Sequence, residues 1–219
     1  MNDYWDALLP RINKALFETL LMVSVSFVLA TVLGLLLGLL LYATRPGNVL
    51  QNRGVFGGLN LVINIIRPIP FLIIAVSLIP FTRLLIGTSI GPQAAIVPLT
   101  LVASVAIARI AESNLVAVDP GAIEAGAAMG ARPARVLFTI VIPESLGPLT
   151  LGLTYILVAL VDATAVAGVL GGGGLGDLAM KYGYQRFDWL VIGIIVLILI
   201  VLVQVAQLIG NWVSRKVMH

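Results

Sequence analysis

The chain has 219 residues, of which 60% are hydrophobic and 11% are charged, and its mean hydropathy is +1.10. This balance excludes a soluble globular domain and is typical of a polytopic membrane protein. The formal net charge of +3 is modest and reflects arginines in loops, so we expect no nucleic-acid partner.

The residue content also excludes several kinds of chemistry. There are no cysteines, which rules out disulfides, thiol catalysis and cysteine-bound metals. The only histidine is His219, the last residue, so neither a histidine metal site nor a Ser-His catalytic unit is expected. No G-x-x-x-x-G-K-[S/T] motif occurs, so this chain should not bind ATP through a P-loop. We therefore predict that the chain is not an enzyme and holds no cofactor or metal of its own.

Five apolar runs are long enough to cross a bilayer, which requires about 20 residues. We predict an all-α protein with one membrane domain over residues 1–219. A short amphipathic segment, residues 1–14, precedes the first span. The predicted spans cover about residues 15–42, 55–80, 93–118, 143–170 and 190–213.

The first span contains Gly34-x-x-x-Gly38. Glycines at this spacing allow two helix backbones to approach closely. The motif is also common by chance in membrane helices, so a packing role and a chance occurrence remain equal alternatives.

The second span is interrupted near its middle by Asn64, Arg67, Pro68 and Pro70. Proline removes a backbone donor and breaks or kinks a helix. A charge near the bilayer centre costs at least ~2.5–3.5 kcal/mol on insertion scales. Arg67 therefore either lines a transport pathway and holds the broken helix, or marks a span boundary at the interface.

A loop is predicted over residues 81–92, followed by the third span. Arg109 and Glu112 lie three residues apart near the end of that span. At this spacing they share a helix face and can pair. We interpret the pair chiefly as an anchor for the span at the membrane interface, with a functional role as the alternative.

The stretch from Asp119 to Pro143 is polar and rich in small residues, unlike its surroundings. Asp119 suits an N-cap, Pro120 suits the first helical position, and Gly130 suits a left-handed helix end. These signals predict a helix of roughly ten residues within about residues 119–130, which would be about 15 Å long. Its alanine and glycine side chains bury little within the chain, so we expect it to fit a groove on another molecule.

The same stretch resembles the EAA loop of ABC-importer permeases. The matching positions are Glu124, Ala125, Gly130, Ile140 and Pro143. Gly126 replaces the second alanine of the pattern, which should weaken the helix by about 1 kcal/mol. In that family the loop is cytoplasmic, and its helix docks on a separate ATPase subunit. The resemblance therefore implies ATPase-coupling roles for Asp119, Glu124, Ala125, Gly130 and Arg132.

The fourth span carries an acid, Asp162, within VALVDATAVAGVL. An ionisable residue inside a membrane span is a functional candidate by default. We expect Asp162, Thr164 and Val166 to line a substrate pathway together with Arg67. The alternative is that Asp162 is satisfied by Arg67 or by a neighbouring helix.

Residues 171–189 contain a formal G-x-G-x-x-G match. No predicted strand precedes it, so a dinucleotide site is rejected and a flexible loop at the outer interface is expected. In the fifth span, Gln204, Gln207 and Asn211 form one polar stripe that should face protein.

The resemblance extends over nearly the whole chain. The segments LLYATRPG, INIIRPIPF, IPFTRLLIGTSIGPQAAIVPLT and GGGGLGDLAMKYGY look like those of methionine-importer permeases. This resemblance implies a type I ABC importer permease fold with alternating access, importing L- or D-methionine. It also implies a second copy of the chain, two cytoplasmic ATPase subunits that bind ATP and Mg²⁺, an external binding protein and a lipid environment.

The same resemblance places the chain in a bacterial inner membrane, with its N-terminus outside and its C-terminus in the cytoplasm. Basic residues are nearly balanced between the two sides, so charge does not decide the orientation.

Two alternatives to methionine import remain open. A small or uncharged residue is expected at the position of Asp162 in that family, and an acid there favours histidine or a basic amino acid as the substrate. In a different class, an ion-coupled secondary transporter or channel would use Asp162 and Arg67 as a relay. That class predicts inverted internal repeats, and the two halves of the sequence show no convincing repeat.

Overall fold

The computed structural model describes residues 2–217, so His219 lies outside the described range. These residues form ten α-helices, with three π-helical segments between them and no strand. The helices are α1 (Asn2–Thr44), α2 (Arg53–Ile66), α3 (Phe71–Ser77), α4 (Ile79–Ile86), α5 (Pro92–Val116), α6 (Pro120–Ala128), α7 (Pro133–Val136), α8 (Ile142–Ala167), α9 (Gly174–Leu178) and α10 (Trp189–Val217). The π-helical segments are Leu137–Val141, Gly168–Gly172 and Ala179–Tyr184.

Four helical segments are long and apolar enough to cross a membrane, namely α1, α5, α8 with its flanking turns, and α10. A fifth span exists if α2 and α3 count as one, although they are bent by 106°. The bend falls at residues 67–70, where Pro68 and Pro70 interrupt the helix. The structure thus confirms the all-α polytopic class with four to five spans.

The most extensive helix contact in the described residues joins α1 to α5, and two glycines bring these helices close together. A Cβ added at Gly34 would lie 2.6 Å from Ile107 Cβ. A Cβ at Gly38 would lie 2.6 Å from Ala111 Cβ and 2.7 Å from the carbonyl oxygen of Ala108. No larger side chain fits without separating the helices, so the packing role of the glycine pair is confirmed.

The bundle has two ends, which we name after one residue of each. At the Gly130 end, Tyr42, Leu115 and Val136 join the ends of α1 and α5 to the segment before α8. At the Tyr182 end, the start of α1 packs against α9 and the start of α10. The core between them joins α1, α5 and α8 through Met22, Ala30, Leu99, Ile107 and Leu160.

Residues 2–14 are not a separate segment, because α1 runs without interruption from Asn2 to Thr44. Leu8, Ile12 and Ala15 repeat at helical spacing and are buried in one cluster with Leu175 and Val191. The helix therefore begins well before residue 15, the predicted start of the first span, and includes the predicted amphipathic segment.

Residues 171–189 are mostly helical and packed, so the prediction of a flexible loop is wrong. The Glu18 carboxylate accepts a hydrogen bond from the Gly174 N–H at 2.8 Å, and Thr19 Oγ1 accepts one from the Leu175 N–H at 2.9 Å. These α1 side chains satisfy free donors in the first turn of α9. Gly174 has φ +77°, and a Cβ there would lie 2.6 Å from Thr19 Oγ1, so the site requires glycine.

The prediction of a loop over residues 81–92 is also partly wrong. The helix α4 occupies residues up to Ile86, with Pro80 in its first turn. It ends at Gly87, whose φ of +85° is the left-handed conformation of a helix terminus.

Aromatic and charged side chains meet at the Tyr182 end. The Tyr4 hydroxyl donates to the Asp188 carboxylate at 2.5 Å, and this hydrogen bond holds the pKa of Asp188 below its usual value. The guanidinium groups of Arg11 and Arg186 lie 4.9 and 4.4 Å from the ring centroid of Tyr182. These contacts fasten the start of α1 to the segment before α10.

The polar stripe on α10 does not pack against the rest of this chain. Gln204, Gln207 and Asn211 are all exposed. They are not covered by the described part of this chain, so their contact with protein stays a prediction for an assembly with a partner.

Candidate functional site

The helix α6 at the Gly130 end has both of its termini fixed by its own residues. The Asp119 carboxylate accepts a hydrogen bond from the Gly121 N–H at 2.9 Å, and Pro120 occupies the first turn. Gly130 has φ +78°, and the next residue, Ala131, donates its N–H to the Gly126 carbonyl at 3.2 Å. Hydrogen bonds at both termini thus stabilise this short helix, which helix propensity alone would leave marginal.

One face of α6 packs on the segment that leads into α8. Gly126 is buried, and a Cβ there would lie 2.7 Å from Ile140 Cδ1 and 3.4 Å from Val136 Cγ2. Ile123 packs against the hydrophobic cluster that contains Val136. The glycine that departs from the EAA pattern therefore permits a close approach to Ile140, which helix propensity alone does not reveal.

The opposite face of α6 is uncovered. Glu124, Ala125 and Ala128 are exposed, and Met129, which follows the helix, is 81% exposed. Such a narrow, small-residue surface lets another backbone or a groove wall approach closely. The five residues assigned to ATPase coupling from the sequence all lie on this helix or directly beside it and are exposed, namely Asp119, Glu124, Ala125, Gly130 and Arg132.

A cavity of about 300 Å³ separates this helix from the α1–α2 loop. Its walls include Tyr42, Asn48, Ile123 and Leu137. The Asn48 side-chain amide donates to the Tyr42 carbonyl at 2.6 Å, which closes the loop over the end of α1. The cavity leaves the uncovered helix supported along only part of its length.

The pathway residues predicted from the sequence are not all brought together. Arg67 lies at the bend after α2 and is exposed, and Asp162 is exposed on α8. Within residues 2–217 the two charges form no ion pair with each other, so pairing with Arg67 does not satisfy Asp162. Thr164 is 2% exposed and donates to the Val161 carbonyl of its own helix at 2.6 Å, so it faces the chain interior, while Val166 is half-buried.

The bend nevertheless abuts the part of α8 that carries the acid. Phe71, which begins α3, lines a cavity of about 80 Å³ together with Ala159 and Ala163. Asp162 directly precedes Ala163 in the chain. In the chain, the exposed Arg67 therefore precedes and the exposed Asp162 adjoins residues that form the α3–α8 contact.

A cluster of polar side chains around Arg109 and Glu112 was only partly predicted from the sequence. The expected pairing of Arg109 with Glu112 is confirmed, with Arg109 Nη1 2.5 Å from Glu112 Oε2. Arg45 also lies 3.8 Å from Glu112, and Arg109 donates to Asn60 and Asn64 of α2 at 3.2 Å each. The spacing of the two asparagines, four residues apart on one helix face, was the signal for their part in it.

No grouping in residues 2–217 brings together three histidine or acidic side chains that could hold a metal ion. The candidate site is therefore the uncovered face of α6, and the exposed charges Arg67 and Asp162 lie on other elements.

Comparisons with known proteins agree with this description. Residues 30–219 match the family described as binding-protein-dependent transport system inner membrane component. The chain is 42% identical over 205 residues to a probable D-methionine transport system permease protein of Vibrio cholerae, covering 94% of this chain and 91% of that one. It is 40% identical over 176 residues to the methionine import system permease protein of Bacillus subtilis, covering 80% and 79%.

Solved structures show the same architecture. A chain of the inward-facing MetNI methionine ABC transporter aligns with a TM-score of 0.92 and 40% identity, covering 97% of this chain and 99% of that chain. A chain of an amino acid ABC transporter solved with histidines aligns with a TM-score of 0.81 at 20% identity and 97% coverage of each, which shows the fold alone.

Proposed function

Because the chain belongs to the family of binding-protein-dependent transport system inner membrane components, we propose that it is the permease subunit of an ATP-driven methionine importer. The observation that carries this proposal is α6, a capped helix with one face buried and the other uncovered. Relatives about 40% identical over most of the chain are named for D-methionine or methionine transport. The substrate assignment rests on these relatives.

The partner of α6 is a cytoplasmic ATPase subunit that binds ATP and Mg²⁺. The chain has no P-loop sequence of its own, so ATP must be hydrolysed on another polypeptide. The small side chains of Ala125 and Ala128 let α6 enter a cleft on that subunit, and Glu124 and Arg132 offer one charge of each sign at its edges.

Two copies of the chain, two ATPase subunits and an external binding protein make up the complete importer. Four to five spans are few to enclose a solute path, and a two-fold axis is the commonest symmetry of homo-oligomers. ATP binding closes the ATPase pair, the two α6 helices move together, and the membrane helices open outward. This is alternating access driven from outside the membrane.

We assign the Gly130 end to the cytoplasm of a bacterial cell and the Tyr182 end to the outside of the inner membrane. The helix α1 starts at the Tyr182 end and finishes at the Gly130 end, and α10 runs the same way. With α2 and α3 as one broken span, five crossings put the N-terminus outside and the C-terminus inside. The basic residues Arg215 and Lys216 in the last turn of α10 agree with this direction.

The substrate path runs past the bend at Arg67 and the acid Asp162. Both charges are exposed and close to the same α3–α8 contact, where they can meet the carboxylate and ammonium groups of an amino acid. Because Asp162 adds a negative charge with no cation beside it among the described residues, histidine or a basic amino acid is the second candidate substrate.

The test is uptake of labelled amino acids by proteoliposomes that contain this chain, its ATPase subunit and its binding protein. We expect ATP-dependent uptake of methionine above that of histidine or arginine. Asp162→Gly should lower uptake or change the order of preference, and unchanged rates and preference would remove Asp162 from the path. Uptake that needs an ion gradient but no ATPase would instead establish the secondary-transporter class.

A further inference from the structure

The acid Glu112 near the end of α5 is the most buried charged residue described in the chain, at 4% exposure. Burying a carboxylate is costly unless cations and hydrogen-bond donors surround it. Both of its oxygens face arginines: Oε2 lies 2.5 Å from Arg109 Nη1, and Oε1 lies 3.8 Å from Arg45 Nη1. Arg109 belongs to α5 itself, whereas Arg45 follows the last residue of α1.

Arg109 is held on its other side by α2. Its Nη1 donates to Asn60 Oδ1 and its Nη2 donates to Asn64 Oδ1, each at 3.2 Å. The Asn64 amide in turn donates to Asn60 Oδ1 at 3.3 Å. The planar guanidinium presents donors in several directions at once, so one arginine can join a carboxylate to two amides.

This polar contact adds to an apolar contact of α2, in which Phe56, Leu59 and Ile66 pack against the cluster around Ile63. Only one residue of α2, Ile63, is buried. It packs in a small cluster with Leu41, Val105 and Ala108. By contrast, the α1–α5 pair is joined through the close approach at Gly34 and Gly38. The molecule therefore has a closely packed helix pair and a third helix, α2, that joins it through one buried residue, partly buried apolar side chains and this polar contact.

We infer that Glu112 is a positioning residue that fixes Arg109 as a lock between α5 and α2, carrying movement of α6 to the pathway bend at Arg67. The helix α5 leads into α6 through residues 117–119, and α2 ends at Arg67. The lock lies between these two points and gives α6 a route to the bend through the last two turns of α5 and through α2. This inference rests on the proposed function, because α6 moves only if an ATPase drives it.

Three variants separate the lock from general stability. Asn60→Ala with Asn64→Ala removes the α2 side and leaves the buried ion pair in place. Glu112→Gln removes the charge that orients Arg109, and Glu112→Asp keeps it. The matched control is Leu61→Ala with Ile65→Ala, which changes the same helix at the same spacing on an exposed face.

The measurements are amide hydrogen exchange of residues 53–66 in the assembled complex and ATP hydrolysed per substrate imported. We expect the asparagine double variant to exchange roughly tenfold faster in α2, with α5 unchanged, and to consume several-fold more ATP per substrate. Glu112→Gln should behave likewise and Glu112→Asp should restore coupling, while the control stays near wild type.

Wild-type exchange and wild-type ATP cost in the asparagine double variant would overturn the inference, as would an equal effect in the control. If Glu112→Gln does not assemble, the asparagine double variant decides alone, because it retains the ion pair. Failure of the proposed function shows separately, as wild-type complex that imports nothing with ATP. Hydrogen exchange in α2 still reports the lock in that case.

Discussion

Small residues are used in opposite ways at the α1–α5 contact and on α6. Between α1 and α5, the glycines at 34 and 38 meet Ile107 and Ala111 at distances that leave no space for a methyl group. On α6, Ala125 and Ala128 have no cover from their own chain. The small residues of α1 are buried in a contact within the protomer. The small residues of α6 remain exposed, so another molecule can approach them closely. Residue type alone therefore does not tell a folding contact from a docking surface.

The largest effect is expected from Gly38→Leu. The new side chain would overlap Ala111 and the Ala108 backbone, and overpacking of this kind costs ~1–3 kcal/mol or more. We expect a lower melting temperature and loss of monodisperse protein on gel filtration. The control is Gly57→Leu on α2, where nothing lies within 4 Å of the added Cβ. Equal stability of the two variants would contradict the close α1–α5 packing.

Gly130→Val tests whether the end of α6 matters to docking while the fold survives. The added Cβ has open space, but a β-branched residue at φ +78° is strained by roughly 1–2 kcal/mol. We expect normal membrane insertion with reduced ATPase stimulation and transport. Gly130→Asn should retain most activity, because asparagine tolerates the left-handed conformation. Normal ATPase binding and transport in the valine variant would count against docking through this helix.

Ala125→Leu tests whether the exposed small-residue face of α6 binds the ATPase subunit. The position is exposed, so the melting temperature of the isolated chain should not change. Binding of the ATPase subunit should weaken about tenfold, which corresponds to ~1.4 kcal/mol, because the cleft is matched to a small side chain. Ala134→Leu, also exposed but on α7, serves as the control in a titration of the two subunits. Equal affinities for both variants would place the docking surface elsewhere.

The smallest effect is expected from Gly126→Ala, which restores the alanine of the EAA pattern. Alanine favours the helix by about 1 kcal/mol, but its Cβ would lie 2.7 Å from Ile140 Cδ1. Ile140 Cδ1 is the flexible end of a side chain and can move aside. We therefore expect the gain in helix propensity and the cost of moving Ile140 nearly to cancel. A change in melting temperature of more than a few degrees in either direction would show that one term dominates.

Hydropathy and local signals were enough to predict the apolar spans, the proline break after α2 and the pairing of Arg109 with Glu112. These features depend on residues near one another in sequence. The helical character of residues 174–178 depends instead on Glu18 and Thr19, which lie 156 residues earlier. A glycine-rich stretch viewed alone looks flexible, since the groups that satisfy its backbone are remote.

The candidate site divides in the same way. The start at Asp119 and the residues of the EAA pattern are local, and they located α6. The burial of Gly126 against Ile140, the inward orientation of Thr164 and the contact of Arg109 with Asn60 each depend on how separate helices meet. Sequence patterns within one helix can mark a contact face, but they do not identify the helix that this face meets.

The bonds from α1 to α9 also constrain the order of biogenesis. During synthesis, Glu18 enters the bilayer long before Gly174 leaves the ribosome, so its half-buried carboxylate has only Lys14, 3.8 Å away in the finished chain, as a nearby cation. The nascent protein must shelter that acid, beside the insertion machinery or in the headgroup layer, until the glycine-rich segment arrives. A chain truncated before residue 174 would lack the backbone donor that Glu18 binds in the finished protein, and would leave that acid with Lys14 alone.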